Sequence, residues 1–354
     1  MTPFPPPGAD AALPAPAEEF FLSRPWFTLA AAAALPPGAR PEAREARGLW
    51  LMLRRQGRRL DSLCTPYSQG WAPLAAPGAD WHAAGEALGS LWRGAPPGVL
   101  EGLDPALPGL PAFAEGLRAA GLRTRRFAQA GQWHEAWPDG IGWEAYLAAR
   151  PPALRNTLRR KLARAGRDFR FALHDAPGAG LEDGIAAFEA VRARSWKPHE
   201  PFPAFDAAAM RAAAPLGLLR LGVLEDGAGR PVAAQYWLLD RGGRRATVPK
   251  LFHDESARAA SPGSVLTALV LQGLLGRDGV RELDFGRGDD PYKALWVARR
   301  RPRQGLLLAD PRHPLGLLAL ARHAAGAARR RWRAVAPRRA PGETAEGMTT
   351  GSAA

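Results

Sequence analysis

Leu218-Leu-Arg-Leu-Gly-Val-Leu-Glu225, then Asp226-Gly-Ala-Gly229, then Pro231-Val-Ala-Ala-Gln-Tyr-Trp-Leu-Leu-Asp240, and, after Arg241-Gly-Gly243, Arg244 to Phe252, read as three strands in a meander. Apolar runs of this length, bounded by glycine and aspartate clusters, are strand signals, and connections this short join only antiparallel neighbours. Working outward, Phe169 to His174 alternates as a strand does, and Leu181 to Trp196 places Ile185, Phe188, Ala190 and Val191 on one helical face. Phe205 to Ala214 is a second, alanine-rich helix with Asp206 near its start. Beyond the meander, Ser264 to Leu275 is an apolar helix, Arg281 to Gly286 a short strand opening into a glycine loop, Tyr292 to Val297 a helical turn, and Gln304 to Leu308 a closing strand. The order predicts an α/β (α+β) chain: a mixed, mostly antiparallel sheet flanked by helices.

The chain has 354 residues, enough for two compact domains, with 46% hydrophobic and 23% charged residues, which is ordinary for a globular protein and argues against wholesale disorder. A single cysteine, Cys64, excludes an internal disulfide framework and any multi-cysteine metal site. The formal net charge is +14, but of 48 basic residues only Lys161, Lys197, Lys250 and Lys293 are lysine. One asparagine (Asn156) and two isoleucines (Ile141, Ile185) complete the picture of a coding bias toward arginine and alanine, so the charge is weak evidence for nucleic acid and no DNA partner is expected. The same bias sharpens the question of the lysines, because arginine can replace them wherever charge alone matters. No apolar run approaches the roughly 20 residues of a membrane span, and Glu18 and Glu19 precede the apolar run Trp26 to Leu35, the reverse of a secretory signal; a cytoplasmic protein is expected.

Residues 1–24, rich in proline and alanine, read as a flexible arm, and 329–354 as a basic, disordered tail. In the first half, Gly48-Leu-Trp-Leu-Met-Leu-Arg-Arg55 and Arg58-Arg-Leu-Asp-Ser-Leu63 form a strand pair about Gln56-Gly57, followed, as in the second half, by a helix-like stretch and another apolar strand. This hints at duplication, with lobes at 25–139 and 140–328.

The densest chemical cluster is Asp284-Phe-Gly-Arg-Gly-Asp-Asp-Pro-Tyr-Lys-Ala-Leu-Trp296, straight after a strand: glycines for close approach, carboxylates Asp284 and Asp289, Tyr292, and Lys293 as a point charge for a phosphate or carboxyl group. A polar turn with Asp290 capping a short helix begun by Pro291 accounts for the same residues. Arg155-Asn-Thr-Leu-Arg-Arg-Lys161 with Arg164 puts a basic face, including Arg155, Arg159 and Lys161, on one helix, suited to phosphate or simply to solvent. Ser195-Trp196-Lys197 closes the 181–196 helix. The loop Glu255 to Gly263 runs through Arg258 into Ser261-Pro-Gly263-Ser264 at a helix start, a generic anion site from which Pro262 removes one N–H, and Lys250 lies in the strand leading to it. The histidines have no ligand spacing, and no nucleophile elbow, Walker loop or dinucleotide fingerprint is present.

In this order, Arg155 to Lys161, Ser195-Trp-Lys197, Val232-Ala-Ala-Gln235-Tyr-Trp237, Ser261-Pro-Gly263 and Asp284-Phe-Gly-x-Gly-Asp-x-x-Tyr-Lys293 resemble the GNAT-like acetyltransferases of cellulose and exopolysaccharide biosynthesis, relatives of the Fem-type aminoacyltransferases. The likeness spans about residues 140–310, and Phe20 to Phe27 agrees with how such chains begin. It implies a GNAT fold with two tandem lobes, the first degenerate, and transfer of an acetyl or acyl group from acyl-CoA to an amine such as a saccharide precursor, an amino sugar or an amino acid, by direct attack in a ternary complex without metal. Lys293 would meet donor or substrate phosphates, and Asp284, Asp289 and Tyr292 would serve the reacting amine. The strand with Lys250 would hold the pantetheine arm, and Arg258, Ser261, Gly263 and Ser264 the pyrophosphate. Arg155, Arg159, Lys161, Trp196, Lys197 and Gln235 would bind substrate. The family's usual Arg/Gln-x-x-Gly-x-Gly/Ala loop is replaced by Ser261-Pro-Gly263. Two alternatives remain: a Fem-type enzyme using aminoacyl-tRNA, and a non-catalytic GNAT-fold module of polysaccharide assembly.

Overall fold

A computed structural model describes residues 3–197 and 200–335. The elements, in order, are α1 (Arg24–Ala33), β1 (Ala39–Ala46), β2 (Leu49–Gln56), β3 (Arg59–Ser62), β4 (Leu74–Ala75), α2 (Trp81–Gly89), β5 (Gly98–Leu103), α3 (Leu110–Ala119) and β6 (Arg123–Ala136). They continue with α4 (Trp143–Ala148), α5 (Pro152–Asp168), β7 (Phe169–His174), α6 (Ala179–Ala193), α7 (Phe205–Ala213), β8 (Leu219–Asp226), β9 (Pro231–Asp240) and β10 (Arg245–His253). The last are α8 (Pro262–Gly276), β11 (Glu282–Arg287), α9 (Lys293–Trp296), β12 (Arg299–Ala309) and α10 (Pro314–Val335).

Strands β8 to β10 form the expected antiparallel meander, β7 pairs antiparallel with β8, and β10 pairs with β11 in parallel. The apolar α8, buried nearly all round, lies on one face of this sheet with α5 behind it, and α6 and α7 lie on the other. Alternation along the strands sorts the side chains. Gly222 faces α8, where a Cβ would sit 2.7 Å from Val270, while its neighbour Leu221 faces α6. Leu266, Val270 and Leu274 are buried on the α8 side, at roughly 1.5–3 kcal/mol for each large apolar side chain removed from water.

The halves are joined more intimately than a cut at 139/140 suggests. The large sheet runs β5-β12-β6-β11-β10-β9-β8-β7, so β6, the last strand of the first half, lies between β11 and β12, and β12 lies between β5 and β6. Each half completes its sheet with the other's final strand. In the first half β1, β2, β3 and β4 form a separate small sheet. Its β3 adjoins β5 through side chains: Asp61 Oδ1 accepts from Val99 N (2.9 Å) and Ser62 Oγ from Glu101 N (2.8 Å).

Two expectations need correction, and one strand has no counterpart in the sequence reading. Residues 3–24 are not loose: Phe20 and Phe21 are buried, Ser23 Oγ donates to Phe20 O (2.7 Å), and Glu19 pairs with Arg245 of β10 (2.5 Å), because this segment carries aromatic residues that the sheet buries. β1 has the polar sequence Ala-Arg-Pro-Glu-Ala-Arg-Glu-Ala and reads as no element at all, yet it pairs with β2 along its whole length as the outer strand of its sheet. The tail expected from 329 begins inside α10, and 336–354 lie outside the described residues. Among the described residues no helix is long and apolar enough to cross a membrane.

Candidate active site

β10 and β11 pair at only three positions, Arg245 with Glu282, Ala246 with Leu283 and Thr247 with Asp284, although both strands run further. Beyond Thr247 a bulge turns β10, and on β11 Gly286 takes φ +71°, a left-handed conformation that L side chains rarely adopt. The strands part there, leaving backbone groups of Val248 to Leu251 outside the parallel ladder.

Three of the four lysines meet at this gap. Lys197 Nζ, just past α6, donates to Leu251 O of β10 (2.6 Å), and Lys293 Nζ donates to Arg287 O of β11 (2.6 Å) and lies 3.2 Å from Asp290. Lys250 pairs with Glu200 and stands 4.8 Å over the ring of Tyr67. Burial, with the like charges of Lys250 and Lys293, brings Lys197 down to about 8. The fourth, Lys161 on α5, donates to Ala259 O (2.7 Å) and so ties α5 to the turn before α8. Asp254 shapes that turn. Its carboxylate accepts from Ser256 N (2.9 Å), Ser256 Oγ (2.7 Å) and Arg194 Nε (2.6 Å), and these bonds, Ser256 first, hold it down at about 2. Ser261 then adopts φ +56° and α8 begins; Ser264 N and Val265 N both turn back on Ser261 O.

On the α6/α7 face a second group surrounds the gap. Tyr236 Oη donates to Asp206 Oδ1 (2.7 Å), while Asp206 Oδ2 is buried without a hydrogen bond. Burial pushes Asp206 up to about 6, opposed by the charge of Lys250. Tyr67, from the first half, stacks on Phe205 (4.2 Å between ring centroids) and donates to Phe202 O (2.9 Å). Arg287 of β11 donates to Ser68 O (3.1 Å). The loop 64–72 of the first half therefore covers the parted strands of the second. Asp284 is buried: its Oδ1 accepts from Gly286 N (2.7 Å) and its Oδ2 lies 3.4 Å from Arg301. Burial raises its pKa, against the charges of Arg245 and Arg301.

Residues 152–294 match the model of the acetyltransferase (GNAT) domain. The second half carries an acyltransferase domain of GNAT fold. No curated protein matches the sequence. Among solved structures, the C-terminal domain of a protein assigned as a lysylphosphatidylglycerol synthetase from Agrobacterium fabrum aligns at 14% identity and TM-score 0.50, over 75% of this chain and 84% of that one. A conserved protein of unknown function from Bacteroides thetaiotaomicron aligns at 10% identity and TM-score 0.50, over 80% and 89%. L-PGS from Bacillus licheniformis aligns at 12% identity and TM-score 0.48, over 80% and 85%.

In this GNAT domain the residues singled out in the sequence fall into three groups. Lys293, Lys197, Lys250 and Asp284 gather at the gap, with Tyr292, whose hydroxyl burial raises, one residue before Lys293. Arg258, Ser261, Gly263, Ser264 and Lys161 gather at the start of α8. The others stand apart. Asp289 is exposed and paired with Arg300, and Trp196 is 65% exposed. Gln235 is wholly buried under α8, where its Oε1 accepts from Thr267 (3.2 Å), because β9 directs odd positions to that face. Arg155 and Arg159 line a groove with Trp143, Glu144 and Gln272, toward the far end of α8, since α5 runs antiparallel to it; Arg160, Arg164 and Arg167 flank Lys161 instead. Asp290 pairs with Lys293 and caps nothing: the cap position of α9 is Tyr292. Tyr67, Glu200, Asp206 and Arg301 were not legible as site residues, and Arg287 and Tyr236, though inside the quoted motifs, were not among the residues singled out. The one usable signal was rarity, since the chain has only four tyrosines.

Proposed function

We propose that the protein is an N-acyltransferase that moves an acetyl or longer acyl group from acyl-CoA to an amine within one ternary complex. The observation that carries this reading is the parting of β10 and β11 after Thr247 and Asp284, with Lys197 on one lip and Lys293 on the other. The unladdered stretch of β10 suits the amides of a pantetheine arm, and the first turn of α8, with Gly263, Ser264, Arg258 and the nearby Lys161, suits a pyrophosphate. Backbone donors and the two lysines favour the oxyanion that forms as the thioester is attacked.

In the reaction the amine nitrogen bonds to the thioester carbon and the C–S bond breaks. The acceptor ammonium gives up two protons, one through the Asp284 carboxylate to solvent and one to the departing thiolate, which leaves as CoA thiol. The raised pKa of Asp284 suits it to that task, whereas the exposed Asp289 has no such setting. The resemblance to enzymes of exopolysaccharide biosynthesis makes amino sugars, saccharide precursors and amino acids the acceptor classes to screen.

The test is a thermal melt with and without millimolar acetyl-CoA. At a hundred times its dissociation constant a ligand adds roughly 2.7 kcal/mol, enough to raise the midpoint by several degrees. A rise that is lost in Lys293→Ala supports the reading. A rise with aminoacyl-tRNA and none with acetyl-CoA or longer acyl-CoA replaces it with the Fem-type alternative, and no response to either leaves a binding module.

A further inference from the structure

The face of the sheet that carries α6 and α7 also holds a cavity of about 340 Å³, between the N-terminal segment, the loop after Gln69 and strands β6, β10, β11 and β12. It reaches Thr247 and Asp284, the last paired residues before the gap, and its other walls include Trp71, Gln132, Arg301 and Arg303. Its arginines are not equivalent. Arg245 is matched by Asp240 (2.5 Å) and Glu19 (2.5 Å), and Arg301 by Glu282 and Asp284 (3.4 Å). Against the cost of burial, a hydrogen bond with His134 and the charges of Arg301 and Arg245 hold Glu282 at about 2, so that carboxylate is committed.

Arg303 differs. Its side chain is 11% exposed, and Nε and Nη2 both donate to the neutral Gln132 Oε1 (2.8 and 2.5 Å). Gln132 Nε2 is itself spent on Gln69 O (2.7 Å), which fixes the orientation of the amide. Among the described residues the one carboxylate within 4 Å of Arg303 is Asp104, at 3.7 Å and 43% exposed. Burial, with crowding by Arg301, pushes the Arg303 pKa down. A buried guanidinium without a close carboxylate is costly, and its planar fork fits a carboxylate from outside in two parallel bonds.

We propose that this cavity is the acceptor pocket and that it selects amines bearing a carboxylate, namely α-amino acids or dipeptides, with the carboxylate on Arg303 and the amine beside Asp284. The inference rests on the acyl-transfer reading above. The volume lies at the lower end of ligand pockets, roughly 300–1,000 Å³, and suits a single amino acid or dipeptide.

The test uses matched acceptors that differ only in the carboxylate: L-phenylalanine against phenethylamine, L-histidine against histamine, and L-lysine against cadaverine. CoA thiol release from acetyl-CoA is measured on the full chain, and amino-acid binding is measured by calorimetry without CoA. The expected result is a kcat/KM at least tenfold higher for the amino acid in one or more pairs, expressed mainly in KM. Arg303→Gln should shrink that ratio to within twofold, and Arg303→Lys should keep part of it. Equal turnover within every pair, or a ratio unchanged in Arg303→Gln, overturns the proposal, and the wild-type ratio stands as a test even where the variant fails to fold. Stabilisation by acetyl-CoA with no amino acid bound or turned over defeats the pocket and leaves the donor reading. Calorimetric binding of an amino acid with no response to any acyl-CoA defeats the transfer reading and leaves the pocket.

Discussion

Lysine is the rare base of this chain, four residues against 44 arginines, and the structure brings three of the four together. Lys197, Lys250 and Lys293 meet at the parted strands and Lys161 ties α5 to the turn before α8, each using an ammonium on a carbonyl or carboxylate where a planar guanidinium has a different shape. Lys293→Met, which keeps the bulk and removes the charge, is expected to lower kcat/KM at least 100-fold while shifting the melting midpoint by only a few degrees; Lys293→Arg should fail as well. Near-wild-type turnover in either variant would remove Lys293 from the reaction. Lys197 gives a pH test. Its ammonium is present below about 8 and lost above it, so kcat should fall above pH 8 in the wild type and lack that fall in Lys197→Met. The sign for stability is the opposite: between about 8 and the ordinary lysine value the unfolded chain binds the proton that the folded one has released, so the Lys197 contribution grows with pH across that window, as melts from pH 7 to 10 would show.

At the scale of elements, the geometry that matters is how α8 is entered and where β11 leaves β10. Asp254 holds the turn 255–260 with three hydrogen bonds, so Asp254→Ala should cost about 1–2 kcal/mol and raise the KM for acyl-CoA several-fold with a smaller change in kcat. Equal losses in kcat and KM, or a KM that does not move, would separate this turn from donor binding. Because the Asp254 carboxylate is depressed to about 2, its contribution is present above the ordinary aspartate range and disappears as pH falls toward 2. Most of these elements were legible. The meander β8 to β10, the helices α6 to α8, β11 and the 292–297 turn all declare themselves by apolar period and by turn residues. β1 did not, because as the outer strand of its sheet it owes its pairing to β2 and carries no apolar pattern of its own. The burial of Gln235 was equally hidden, since the face a strand residue takes depends on what packs there.

The whole molecule is decided by the exchange of final strands. With β6 between β11 and β12, and β12 between β5 and β6, a fragment from residue 140 leaves one edge of β11 and both edges of β12 unpaired. Expressed alone, residues 140–354 should aggregate, and co-expression with 1–139 should recover a soluble complex; a soluble, acetyl-CoA-binding fragment would show that the exchange is dispensable. The chain by itself determined the order of strands and helices in the second half, the GNAT-like succession of motifs and the rarity of its lysines, because periodicity and residue choice are local properties. Only tertiary structure decided that Tyr67 and Gln69 of the first half cover the gap in the second, that Asp206, Tyr236 and Glu200 stand beside it, and that Arg303 lies buried against a neutral amide. Those juxtapositions join residues far apart in sequence, and no local pattern records which of two sheet faces, or which of two lobes, a side chain will meet.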